Sequence, residues 1–336
     1  MEAEALTTAH IKYNMYLAEL ITITPTQLIP LNQLVEQGEL KQIEARVYEK
    51  LLGLKTIARF KKTTPQNVIT QLFKKLMSMN KIEKENIEYI ILCHTGESIF
   101  PKNNNILEIL KEKYDLKNAK LLSSSTYKCA TIFACIQLLK SLFKNLKKEK
   151  LAIILTVDTC FTKVLKTIPG TTVMGEAGAL LILSNQKNLH HIIDVLVDSN
   201  GQFSKTHHDY QQQIAFQSVY IKYVCNLIAA ILSKNNLLLS DIKMIFPHNV
   251  NTLSWKNIAK ALAIPVEKLF LDNVNKTGHC FGADPFINLS DGFDKKLIQP
   301  GDYYLLITVG LGATFAVALM QCGDNAKNHL PLEAKC

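Results

Sequence analysis

The feature that most constrains this 336-residue chain is an order of elements that occurs twice. In the first half, NIEYIIL (86–92) reads as a buried strand running into Cys93 and His94. A helical stretch at about 105–114, the short strand AKLLS and Cys129 follow. The run CATIFACIQLLKSLFKNLKK is a helix. It is apolar all round at first, then apolar at Leu139, Leu142, Phe143 and Leu146 with lysines opposite. The strands LAIILTV (151–157) and ALLIL (179–183) close the half. In the second half, DIKMIF (241–246) is a strand ending at Pro247 and His248. A helix over about 252–263, the strand KLFLDNV and a helical stretch opened by His279 and running to about 296 come next. The strands YYLLITV (303–309) and ATFAVALM (313–320) end the chain. Cys129 lies 35 residues after the strand-end His94, and His279 lies 31 after the strand-end His248. Two copies of one α/β unit would therefore place Cys129 and His279 at equivalent points, and a pseudo-twofold would bring them together. Short apolar strands alternating with helices call for sheets covered on both faces. The expected division is 1–185, carrying the cysteine, and 186–336, carrying the two histidines.

Composition narrows the class. With 48% apolar and 20% charged residues the chain has ample core, which excludes global disorder and fibres. The longest nearly apolar stretch, 305–320, is too short for a span and carries Gly310 and Gly312, so it reads as two strands and a turn. The first residues lack the pattern of a signal peptide, and a cytoplasmic protein is expected. Eight scattered cysteines with no CxxC spacing argue for free thiols in a reducing compartment. The net charge of +9 comes from dispersed lysines, among them Lys61–Lys62, Lys74–Lys75 and the run Lys140, Lys144, Lys147, Lys148, Lys150. No aromatic shares the lysine face of that run, Phe143 lying on the apolar side, so a solvated face or an acidic protein partner is expected rather than nucleic acid.

Few residues can carry chemistry. Cys129 sits at a strand-to-helix junction, where unpaired amides and the helix dipole favour a thiolate. Cys135, in the same helix, reads as structural. His248 projects from the end of a buried strand in FPHNVN. His279 lies in KTGHCFGAD, between glycines that allow close backbone approach. Gly310 and Gly312, in VGLGATFAVAL, could turn an N–H towards a reacting carbonyl. GEAGA (175–179) reads as close backbone packing. His190–His191 and His207–His208 read as surface or loop residues with no metal spacing, and no phosphate-binding loop is present.

Taken together these motifs resemble the thiolase-like condensing enzymes, most closely the ketoacyl-ACP synthase III type. That type has a cysteine opening a buried helix, a PHxxN motif, an NVxxxGN motif, a "PGD" phrase and a glycine-rich turn before the last strand. Here stand Cys129, Pro247–His248 with Asn251, NVNKTGH (273–279), Pro300–Gly301–Asp302 and GLGAT. VMGEAGALLIL is similar to the family's "FGDGAGAAVL". The resemblance implies a five-layered α-β-α-β-α thiolase-like fold of two pseudo-duplicated halves, a homodimer, and no metal or redox cofactor. It implies a nucleophilic Cys129, catalytic His248 and His279, an oxyanion hole from the N–H groups of Cys129 and Gly312, and a supporting Asn251.

The chain also departs from the pattern. His279 replaces the family's asparagine, within a TGHCFGAD similar to the "TGHxLGAA" of synthases I and II, which use Cys-His-His. The N-terminal tryptophan that stacks on coenzyme A has no counterpart, the single tryptophan being Trp255. Leu253 replaces the arginine linked to carrier docking, and 201–241 is short for the acyl-pocket region. The expected donor is therefore an acyl carrier protein thioester. The expected reaction is decarboxylative Claisen condensation in fatty-acid-like or specialised-metabolite biosynthesis. The alternatives are acyl transfer to an alcohol or amine, and a silent subunit of a heterodimeric synthase.

Overall fold

The structure is a computed structural model and describes residues 14–61, 63–96, 105–146, 148–186, 190–204, 209–323 and 332–335. The sequence start read for a leader, Lys62, Lys147, His207, His208 and Cys336 lie outside the described residues. The first half contributes strands β1 (Met15–Thr24), β2 (Leu28–Pro30), β3 (Thr56–Ala58), β4 (Ile87–Cys93), β5 (Lys120–Ser124), β6 (Leu151–Asp158), β7 (Thr167–Ile168), β8 (Thr172–Val173) and β9 (Ala177–Ser184). Its helices are α1 (Leu31–Glu36), α2 (Gln42–Lys50), α3 (Pro65–Ser78), α4 (Ile106–Lys113) and α5 (Thr131–Leu142). The second half contributes β10 (His190–Ser199), β11 (Ile242–Pro247), β12 (Tyr303–Gly310) and β13 (Thr314–Cys322). Its helices are α6 (Tyr210–Lys234), α7 (Thr252–Ala261) and α8 (Asp284–Asp294). A last strand, β14 (Leu332–Lys335), pairs with β1.

The main sheet runs β11-β12-β13-β10-β1-β9-β6-β4-β5. Read outward from its middle, the pairings on the two sides are the same. The pairs β1/β9 and β9/β6 are antiparallel and β6/β4 is parallel; so are β10/β13, β13/β12 and β12/β11 in turn. The counterpart of β5 is a single parallel bridge, Ile245 to Leu269. The expected strand KLFLDNV is therefore not formed. Leu269 and Phe270 turn inward to the core after one bridge, and a 3-10 turn at Val266–Lys268 precedes them. In the sheet the halves join where Met15–Leu17 meet His190–Ile192 and where β14 runs along Ile21–Thr24 of β1.

Alternation along the strands sorts side chains into three cores. Ile90, Leu92, Ile153 and Leu155 face outward onto α3 and α4. Ile91 and Ile154 face inward onto α5 and α8, which also meet Phe246 and Leu306 of the second half. Ile245, Leu305, Ile307 and Val317 face α6 and α7. The layers are thus α3/α4, sheet, α5/α8, sheet, α6/α7. Strands buried on both faces explain the near-continuous apolar runs. Helix starts are locally encoded: Thr64 before Pro65, Asn105, Asp209 and Asn251 each accept an N–H of the first turn.

The sequence reading had passed over β1, α3, β10 and α6. By length and apolarity α6 would suffice for a membrane span. It instead buries Phe216, Val224, Ile228 and Ile231 against the sheet. His190, expected at the surface, is buried in β10 and stacks on Phe293 with ring centroids 4.5 Å apart. The lysine run is only partly a solvated face: Lys150 pairs with Glu88 at 3.1 Å and Lys140 lies 3.8 Å from Asp194.

Candidate active site

The two central helices α5 and α8 each begin one 3-10 turn late, and the functional residues stand in or before those turns. Cys129 lies in the turn Lys128–Ala130, not in the first turn of α5 as expected. Lys128, in the left-handed region at φ 53°, makes the chain double back there. His279 likewise precedes a 3-10 turn, Phe281–Ala283, and does not open α8. The close approach of β12 to the Cys129 turn depends on Gly310, where an added Cβ would lie 2.2 Å from the Tyr127 carbonyl. GEAGA packs as expected, with an added Cβ at Gly175 falling 1.9 Å from the Thr277 carbonyl.

The fold brings Cys129, His248 and His279 together, all three buried. Nε2 of His279 is 3.7 Å from the Cys129 Sγ, and the two imidazole centroids are 5.5 Å apart. The other face of the His279 ring is held by a residue the sequence reading missed. Asp284 Oδ2 accepts from Nδ1 of His279 at 2.5 Å. Asp284 is fully buried and also accepts from the backbone N–H of Asn249 at 2.6 Å and of Cys280 at 2.7 Å. Asn249 Nδ2 adds a fourth contact at 3.2 Å. Burial alone would depress the His279 pKa. The Asp284 carboxylate and the Cys129 contact outweigh it and hold the ring up at about 10. The signal was within the quoted TGHCFGAD: an aspartate five residues after the histidine, followed by a proline that starts a helix.

His248 is held differently. The Val309 N–H donates to its Nδ1 at 3.2 Å, so in the neutral ring the proton is on Nε2. Nε2 lies 2.7 Å from the Tyr220 hydroxyl. Burial and the nearby charge of His279 push its pKa well down, which keeps it neutral. The Trp255 indole donates to the His248 carbonyl at 2.9 Å. Asn251 caps α7 through Ser254 N at 2.7 Å and donates to the Thr171 carbonyl at 3.2 Å, a structural placement beside the site. Behind Cys129, Thr95 Oγ1 is 3.7 Å from Sγ and is fixed by the buried Asp158 at 3.2 Å. His94 occupies the place equivalent to His248, but its ring bonds Ser123 and the Gly96 carbonyl.

Two cavities of about 290 Å³ each meet at Cys129. One is walled by Leu165, Ile168, Met174 and Phe281. The other holds both catalytic-candidate histidines, with Gln213, Gln217, Tyr220 and Asn257. Gly310 and Leu311 of the glycine turn line the second, while Gly312 stands next to them at φ 97°. Among the described residues no cluster of three metal-ligating side chains is present.

Residues 232–322 match the family model described as 3-oxoacyl-[acyl-carrier-protein] synthase III, C terminal. This stretch contains β11, α7, His248, His279, Asp284 and the last two strands of the second half. The chain has a thiolase-like fold, and this stretch is similar to the C-terminal part of a synthase III. The chain is 33% identical over 101 residues to the beta-ketoacyl-[acyl-carrier-protein] synthase III of Clostridium tetani, covering 30% of each chain. The alignment with the Oleidesulfovibrio alaskensis enzyme likewise spans only 30% of that relative's length. A longer match, 24% identical over 254 residues, joins 71% of this chain to 78% of the Wolbachia pipientis wMel synthase III. Among solved structures, the acyltransferase ChlB3 superposes with a TM-score of 0.80 at 15% identity, covering 93% of this chain and 98% of that one. The synthase III of Aquifex aeolicus VF5 gives 0.74 at 17% identity over 91% and 99%. The thiolase-like fold is thus shared over more than nine-tenths of the chain, while the family-model match lies in the second half.

Proposed function

We propose that this thiolase-like protein is an acyl-thioester transferase that works through an acyl group on Cys129, with His279 and Asp284 as its acid–base pair. The carrying observation is the His279 ring bridging the Cys129 sulfur and the buried Asp284 carboxylate. In this reading the thiol proton already resides on His279 Nε2, and Sγ attacks the thioester carbonyl as the thiolate of that ion pair. The tetrahedral oxyanion faces the N–H groups of Cys129 and Gly312. As the C–S bond to the donor breaks, His279 returns the proton to the leaving thiolate. An acceptor O–H or N–H then attacks the acyl-enzyme, His279 takes its proton, and the Cys129 sulfur leaves. Asp284 holds the ring in one tautomer and stabilises the imidazolium, as in other nucleophile–histidine–carboxylate sites. A preorganised oxyanion donor of this kind is worth about 3–4 kcal/mol.

An acceptor hydroxyl or amine suits this triad, because a base oriented by a carboxylate is what heteroatom transfer needs. The likeness to ChlB3, described as an acyltransferase, supports it. Decarboxylative condensation is the second reading. It is favoured by a second imidazole 5.5 Å from the one that meets the thiol, and by the synthase III relatives. For the donor, a carrier-bound thioester is favoured by the exposed Lys50, Lys55, Lys256 and Lys260, which stand next to cavity-lining Leu52, Leu253 and Asn257. A homodimer is supported by the unpaired outer edge of β5 and by Leu122, Leu138 and Leu142, each at least 38% exposed.

The test is intact-protein mass after incubation with carrier-bound and coenzyme A acyl thioesters. One acyl mass should appear on the native protein and none on Cys129→Ala. Carbon dioxide from a malonyl thioester is then measured against ester or amide formation with added alcohols and amines. Persistent label on Cys129→Ala would overturn the nucleophile. Carbon dioxide release by the native protein, without transfer to any alcohol or amine, would put condensation in its place.

A further inference from the structure

The second cavity holds a hydrogen bond that the transfer mechanism above does not use. His248 is locked as a neutral ring whose Nδ1 lone pair is taken by the Val309 N–H, so its single proton is on Nε2. That N–H points at the Tyr220 hydroxyl, 2.7 Å away, and the two rings lie within 2° of parallel. Tyr220 is set by α6, where its ring meets Phe216 and Phe315 with centroids 5.8 and 6.2 Å away. Burial raises the phenol pKa, so Tyr220 stays protonated. Its oxygen accepts from Nε2, which directs the phenolic hydrogen away from His248, and Tyr220 lines the cavity next to Cys129 and His279. None of the described residues lining this cavity is Asp, Glu, Lys or Arg, in a chain with 38 basic and 29 acidic residues. Apart from His279, the lining offers apolar surface and neutral hydrogen-bonding groups.

Condensation makes a different demand. Losing carbon dioxide from a malonyl thioester breaks the C–C bond to the carboxylate, and its electron pair moves into a thioester enolate. The enolate carbon attacks the acyl carbon on Cys129, the C–S bond to the enzyme breaks, and the cysteine sulfur leaves as thiolate. The enolate oxygen needs N–H donors at the moment it forms. His248 has one such proton; of the two on His279, one is held by Asp284 and the other lies beside the Cys129 sulfur.

We propose that Tyr220 is the specificity-determining residue of this site. By taking the only N–H of His248 it withholds an enolate donor, and by presenting its own O–H it steers the acyl-enzyme to neutral hydroxyl-bearing acceptors. This rests on the acyl-Cys129 reading above, and the two fail separately. The probe is malonyl-CoA added to protein already charged with a hexanoyl group, with carbon dioxide as readout. Tyr220→Phe removes one hydroxyl and keeps the ring stack. Charged with the hexanoyl group to the same extent as the native protein, it should release carbon dioxide at least tenfold faster. A merely structural role for the hydroxyl would not produce a gain. Tyr220→Met, which also lacks the hydroxyl, should behave in the same way and serves if the phenylalanine variant folds poorly. In nitrogen-15 NMR, the His248 Nε2 proton should be seen and exchange slowly in the native protein, and exchange faster in the variants. Charged variants that release carbon dioxide no faster than the native protein would overturn the assignment of Tyr220. Native protein that takes no label on Cys129 would instead overturn the transferase reading itself.

Discussion

Replacing Asp284 by asparagine tests the acid–base pair most directly, because the structure fixes what the substitution removes. The two carboxylate oxygens accept from four donors: Asn249 N at 2.6 Å, His279 Nδ1 at 2.5 Å, Cys280 N at 2.7 Å and Asn249 Nδ2 at 3.2 Å. An asparagine amide has one oxygen. Turned either way, its NH2 faces a backbone N–H, of Asn249 or of Cys280, in a site with no solvent exposure. A buried donor left without a partner costs about 1–3 kcal/mol. Removing one partner of a buried ion pair costs about 3–5 kcal/mol, and the two overlap rather than add. The native His279 pKa is raised above its ordinary 6.5 to about 10. Its stabilising contribution is therefore complete below about pH 6.5 and is lost as pH rises through about 10. In Asp284→Asn burial, which pushes the ring pKa down, is opposed only by the Cys129 contact, and the pKa falls. The stability gap between native and variant, measured by urea unfolding, should be about 3–5 kcal/mol at pH 6. It should narrow clearly by pH 10. The transfer rate should fall about 10³–10⁴-fold, the scale set by losing the carboxylate of a nucleophile–histidine–carboxylate site. A gap that is the same at pH 6 and pH 10 would refute the reasoning, since Asp284 would then be holding backbone and not a charged imidazole.

Two further outcomes follow from geometry alone. On the proposed homodimer, Leu138→Glu, on the exposed side of α5, should elute as a monomer in size-exclusion chromatography where the native protein elutes as a dimer, with little change in helix content; the same elution volume for both would remove that face from the interface. Gly175→Ala drives a Cβ to 1.9 Å from the Thr277 carbonyl and so shifts the segment leading to His279; a loss of about 1–3 kcal/mol is expected, and unaltered thermal unfolding would contradict it.

The duplicated order of strands and helices was legible because burial on both faces leaves continuous apolar runs, and those runs mark β4, β6, β9, β11, β12 and β13 without reference to neighbours. His248 could be picked out because it follows such a run, Cys129 because it opens an apolar helical run, and His279 because it stands between glycines in TGHCFGAD. The middle strands β1 and β10 were not seen, since their paired and exposed residues mix tyrosine, histidine, glutamate and aspartate among the aliphatics. KLFLDNV has the composition of a strand yet forms one bridge, a choice made by the core that takes Leu269 and Phe270. What tertiary structure alone decided is the pairing of side chains. Asp284 is five residues from His279 and legible in hindsight, whereas Tyr220 reaches His248 from a helix 28 residues away. A sequence sets which groups exist and which faces they share. Only the packing of α6 and α8 around the Cys129 turn sets which lone pair meets which proton, and that is where the chemistry of this site is fixed.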